Sequence, residues 1–131
     1  MKALIEGLVT HYAATGALAA ACSGLHATLA PAGVEPPICA WTSVSDAPDI
    51  TSDSFEDGQL IQLTIYSADD EPNEACELVV LLKDAFDESS FALGTGQLVR
   101  MIRENERLIP DPDKGWLYSA DYRCLCSRKK V

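Results

Sequence analysis

The chain has 131 residues, 47% hydrophobic and 23% charged, which is the composition of a folded globular protein of one-domain length and not of a disordered chain. Its formal net charge of −10 argues against wrapping nucleic acid, because duplex affinity comes largely from Lys and Arg displacing counterions. No apolar run approaches the ~20 residues that a membrane helix requires.

In chain order, Leu4, Ile5, Leu8, Val9 and Tyr12 fall on one helical face, predicting a helix over Lys2–Ala14 that stops at Thr15-Gly16. Glu6 and His11 interrupt any signal-peptide-like apolar stretch, so the segment is expected to be a mature amphipathic helix. Ala17–Cys22 adds a short helical turn, and Leu25–Ala30 a short strand cut off by Pro31. After the connection PAGVEPP, the segment Ile38–Val44 is β-branched and aromatic enough for a strand. Residues 45–58 (SDAPDITSDSFEDG) are polar and acidic, and are expected to project as a hairpin arm or a mobile loop. Leu60–Tyr66 alternates as a strand.

Asp69-Asp70-Glu71-Pro72 then marks a helix start, where carboxylates accept free backbone N–H groups and favour the positive end of the dipole. The stripe Ala75, Leu78, Val79, Leu82 and Phe86 predicts that this helix packs on a sheet. A strand is expected over Gln97–Arg103 and a tight turn over Pro110–Gly115. In the final strand, Trp116–Ser127, the residues Trp116, Tyr118, Ala120, Tyr122, Cys124 and Cys126 share one face. Period-two alternation of this kind suits a sheet with one side covered by helices. The expected fold is α+β: a mainly antiparallel sheet with two principal helices on one face, forming a single domain over residues 1–131.

Charge is unevenly distributed. Glu35–Glu88 holds fourteen acids against one base, Lys83, whereas Arg100–Val131 holds five acids and eight bases. Such a pattern fits a solvated acidic face, or two oppositely charged surfaces that meet across a subunit boundary.

Sites of chemistry are hard to find. His11 and His26 lack a surrounding nucleophile motif, although Cys22 precedes His26 by four residues. Cys124-x-Cys126 has no second pair to complete a zinc site. Asp53, Glu56 and Asp57 match no Ca²⁺-loop spacing, and Gly94-Thr95-Gly96 is neither a phosphate-binding nor a dinucleotide-binding loop. Cys22, Cys39 and Cys76 sit among apolar neighbours and read as buried thiols of a protein made in a reducing, cytoplasmic setting. The expectation is a non-enzymatic protein with no metal or cofactor.

The order of elements resembles the tail-terminator (tail-completion) and head–tail joining proteins of long-tailed bacteriophages and prophages. The resemblance rests on the N-terminal helix ending in Thr15–Gly24, the strand closing in Leu29-Ala30-Pro31, and the strand Ile38–Val44. The long polar excursion, the strand Leu60–Tyr66, the helix after Asp69–Pro72 and the last strand Trp116–Ser127 complete it. It implies a virion protein, made in the host cytoplasm, that assembles as a hexameric ring. This ring caps the tail tube and joins it to the head connector, with DNA passing through but not bound specifically and no membrane involved. A head-completion or stopper protein, and more distantly a small cytoplasmic binding module or thiol enzyme, are the alternatives. The residues expected at the assembled surface are Asp46, Asp49, Asp53, Glu56 and Asp57 of the acidic excursion. They either face the lumen or meet Arg100, Arg103 and Arg107 of a neighbouring subunit.

Overall fold

A computed structural model describes residues 2–27, 33–44, 59–94 and 96–126. Its elements are α1 (Lys2–Ala14), α2 (Ala17–Ala21), β1 (Leu25–His26), β2 (Ile38–Ser43), β3 (Gln59–Ser67), α3 (Asn73–Phe86), β4 (Ser90–Ala92), β5 (Leu98–Pro110) and β6 (Trp116–Cys126). The strands form one six-stranded sheet in the order β1-β2-β3-β6-β5-β4. Among the described strands only the two-residue β1 runs parallel to its neighbour, so the sheet is mainly antiparallel and the fold is α+β.

One face of this sheet carries the core. Ile61, Leu63 and Ile65 of β3, Tyr118, Ala120, Tyr122 and Cys124 of β6, and Val99 and Met101 of β5 are all buried there. They form one cluster with Leu4, Leu8 and Tyr12 of α1, Leu18 of α2, and Leu78, Leu82 and Phe86 of α3. Alternation along the strands and helical spacing along α1 and α3 thus meet in a single apolar layer. Val9, expected on the buried face of α1, is 41% exposed, because the stripe that packs is the narrower Leu4–Leu8–Tyr12 row.

The start of α3 differs from expectation. Pro72 is the cap residue and no side chain caps the helix; Asp69 instead accepts the Glu71 backbone N–H at 3.2 Å, within the preceding turn. Glu74, in the first turn, accepts the Ser67 hydroxyl at 2.6 Å and ties the helix to the end of β3. Cys76 is exposed, not buried, since it lies one position around the helix from the packed Ala75–Leu78–Leu82–Phe86 row.

The expected strand over Gln97–Arg103 continues to Pro110, and β4, which sequence patterning did not reveal, pairs with its first residues. A bulge between Arg103 and Asn105 inserts Glu104. One extra residue reverses the alternation, so even-numbered positions face the helices after it where odd-numbered ones did before. The strand expected over Leu25–Ala30 is described only as Leu25–His26. The acidic stretch 46–58, with Asp46, Asp49, Asp53, Glu56 and Asp57, lies outside the described residues, as does the basic tail 128–130.

The hairpin joining β5 to β6 turns on Gly115 at φ +89°, where a Cβ would collide with the Ser67 carbonyl oxygen. Glycine is therefore required twice over, for the left-handed backbone and for the close approach of the turn to the end of β3.

Candidate assembly surface

Asp87, immediately after α3, joins the helix to the sheet. Its Oδ1 accepts the Tyr122 hydroxyl at 2.5 Å, and Arg103 donates Nε to both carboxylate oxygens at 3.1 and 3.2 Å. Arg103 also contacts Glu106, which receives Lys83 Nζ at 3.1 Å and the Tyr118 hydroxyl at 3.0 Å. Lys83 and Asp87 come from the last turn of α3 and its end, Arg103 and Glu106 from β5, and Tyr118 and Tyr122 from β6. Burial first, and then the Asp87 hydrogen bond, raise the Tyr122 phenol well above its ordinary range. Burial likewise raises Tyr118. Both phenols are neutral donors to carboxylates, which makes this network a static clamp.

The three arginines expected at the assembled surface do not share one face: Arg100 and Arg107 lie on the side away from the helices and Arg103 on the helix side. Arg100 pairs with Leu125 on the face away from the helices, and approaches Glu88 at 3.9 Å with both groups exposed. Arg103 lies before the bulge on the helix side and is held by Asp87 and Glu106. Arg107 lies after it, opposite Ser119 on the other face, exposed and without a partner among the described residues. The sequence reading missed Asp87, Glu106, Tyr118 and Tyr122. The i,i+4 spacing of Lys83 and Asp87 was the one available signal, since the remaining partners come from other elements.

Histidine and cysteine chemistry is occupied by structure. His11 stacks on Phe91 at 4.9 Å between ring centroids and donates from Nε2 to the Ala85 carbonyl at 2.8 Å. His26 Nε2 lies 3.3 Å from the Ser23 carbonyl. Burial pushes the Cys22 thiol up to about 11 and Cys124 up to about 12, and raises Cys39 further, the reverse of what a nucleophile needs. No group of three His, Cys, Asp or Glu side chains able to hold a metal occurs among the described residues. No described helix is long and apolar enough to cross a membrane.

Among the described residues the sheet is open at both ends. At one end β4 covers β5 only as far as Met101, whose N–H reaches the Ser89 carbonyl at 2.9 Å. At the other end β1 pairs only with Cys39 and Ala40 of β2. Beside the open part of β5, Cys76, Val79, Glu106, Arg107, Leu108 and Tyr118 line a groove of about 230 Å³ between α3 and the sheet edge. Leu108, which lines it, is 37% exposed; Ile109, on the opposite face of the sheet, is 45% exposed, and Val80 of α3 is 57% exposed.

Open strand edges and exposed apolar surface beside them can be covered by contacts with other chains. The chain belongs to the phage tail completion protein family: the family model described as tail completion protein gp17 matches residues 6–125. It is accordingly a structural component of the bacteriophage virion that takes part in virion assembly and contacts other tail components. No curated protein matches the chain significantly by sequence.

Proposed function

We propose that the whole chain acts as one domain that caps the phage tail tube as a homo-oligomeric ring, a hexamer, and joins the tube to the head connector. It does so by contact alone, without catalysis, after synthesis in the host cytoplasm, and DNA passes through the ring without specific binding. The observation that carries this reading is the family match over residues 6–125, which takes in β1 to β5, all of β6 but its last residue, and most of α1. A net charge of −10 supports passage without retention, since like charges repel phosphate over the ~8–10 Å at which moderate salt screens them.

Within that ring we assign the acidic excursion, residues 46–58, to a functional surface. Asp46, Asp49, Asp53, Glu56 and Asp57 either line the lumen or meet the arginines of β5 on the neighbouring subunit. Arg107 is the most available of those arginines, because Arg103 already holds two carboxylates of its own chain.

Light scattering of the protein alone and with purified tail tubes tests the ring: the expected outcome is a ring, free or on the tube, well above the 14.1 kDa chain. Phage lacking the protein should accumulate tails that do not join heads. Protein that binds head connectors but not tail tubes would replace this reading with a head-completion role. Neutralising the five acids to Asn or Gln tests the assignment of the excursion. Altered DNA retention with normal rings supports the lumen, weakened assembly supports the interface, and infectious particles at the original level refute both.

A further inference from the structure

The backbone at the two open ends of the sheet is complementary. Asp111 N–H bonds the Gly115 carbonyl across the β5–β6 hairpin at 2.9 Å. Residues 109, 107 and 105 therefore turn their backbone groups toward β6, and those of Leu108 and Glu106 point off the edge; Pro110 offers only its carbonyl there. On β2, the Val44 N–H bonds the Leu60 carbonyl at 3.1 Å, so Thr42 also faces β3 while Trp41 and Ser43 point outward. Among the described residues no strand pairs with either set. Each edge thus presents two outward residues at the same spacing.

The geometry points to a head-to-tail contact in which β2 of one copy pairs antiparallel with β5 of the next, placing Trp41 opposite Leu108 and Ser43 opposite Glu106. This rests on the ring reading above and names the surface that builds the ring. Side-chain direction supports it: Trp41 lies opposite Leu63 within its own sheet, and Leu108 opposite Tyr118, so both stand on the helix side. Pairing the edges brings the half-buried Trp41 indole to the groove of Val79, Cys76 and Leu108 on the neighbour.

Charge selects the direction and the partner. Beyond β2 the chain runs into its acidic stretch, beginning with Asp46. An antiparallel contact places the C-terminal end of β2 beside Asn105 of the neighbour, on the side of the exposed Arg100, whereas a parallel contact would place it on the side of Asp111 and Asp113. Pairing of two β5 edges is disfavoured, since centring on Arg107 or on Glu106 opposes like charges. Because the two surfaces differ, the contact is heterologous and propagates around a ring instead of ending at a dimer.

The test uses the full chain in a Cys76→Ser background. Thr42 and Arg107 would be directly opposed across the contact, and both are exposed, so T42C and R107C leave the core untouched. Mixing the two variants under mild oxidation, on the tail tube if assembly requires it, should give the mixed disulfide at least about tenfold over either self-disulfide. Only directly opposed residues reach the ~4.5–5.5 Å Cα separation that a disulfide spans. Leu108→Pro, which removes an outward N–H and no bond to β6, should keep the circular dichroism of the folded chain and lose the ring. An R107C self-disulfide exceeding the mixed one overturns the proposal, as does an intact ring without the mixed disulfide or with Leu108→Pro; the ring reading survives each of these. A protein that stays monomeric both free and with tail tubes overturns the ring reading and this contact with it.

Discussion

Replacing Asp87 with Ala should show how much of the fold depends on the junction between α3 and the sheet. The Tyr122 side chain is fully buried, and its hydroxyl has Asp87 Oδ1 as acceptor at 2.5 Å. Removing the carboxylate leaves a buried donor unsatisfied, which costs about 1–3 kcal/mol. The Arg103 ion pair adds less: with side chains 29% and 30% exposed it is screened by solvent and contributes no more than ~1 kcal/mol. Together they predict a loss of about 1–4 kcal/mol. Tyr122→Phe removes the same hydrogen bond but leaves Asp87 with Arg103, and should cost roughly 1–2 kcal/mol. Because both changes delete one shared interaction, the double variant should fall short of additivity by about 1–2 kcal/mol. Urea unfolding followed by circular dichroism measures all three, with an unchanged denaturant slope as the check that only stability moved. An Asp87→Ala effect below about 0.5 kcal/mol, or strict additivity, would show that the clamp contributes nothing and that burial of the Tyr122 ring alone holds the junction.

Gly115→Ala should destabilise by about 3 kcal/mol or more in the same assay, since it strains a left-handed backbone and drives a Cβ into the Ser67 carbonyl; an effect under about 1 kcal/mol would mean the turn moves freely away from β3. Stability should also fall as pH rises above about 9. The Cys22 and Cys124 thiols are raised by burial from 9.0 to about 11 and about 12, so the unfolded chain releases these protons first and gains on the folded one. This contribution is complete below pH 9 and is lost through the alkaline range, and chemical denaturation at a series of pH values reads it directly; a flat profile between pH 8 and 10.5 would contradict it. Thiol-reactive dye should modify exposed Cys76 rapidly in the native protein and reach Cys39 and Cys124 only on unfolding, whereas equal rates for all would refute the burial order.

Much of this architecture follows from local pattern. Helical spacing marks α1 and α3, and strict alternation marks β3 and β6, because burial on one side imposes a period that each segment carries in its own residues. The family resemblance was legible for the same reason, as an order of apolar segments and turns. The sequence also showed where opposite charges lie.

Tertiary structure decided what depends on neighbours. The run Arg103-Glu104-Asn105-Glu106-Arg107 has little strand preference, and the bulge at Glu104 breaks its alternation, so the outer half of β5 exists because β6 pairs with it. That same bulge sends Arg103 and Arg107 to opposite faces, dividing a basic cluster that reads as continuous along the chain. Asp87, Glu106, Tyr118 and Tyr122 become a network only when α3, β5 and β6 pack together. Among the described residues, the open edges at β2 and β5 are the parts that β1 and β4 leave unpaired. Hydrogen-bonding capacity left over at a sheet's ends is a property of the assembled sheet, and no single segment carries it.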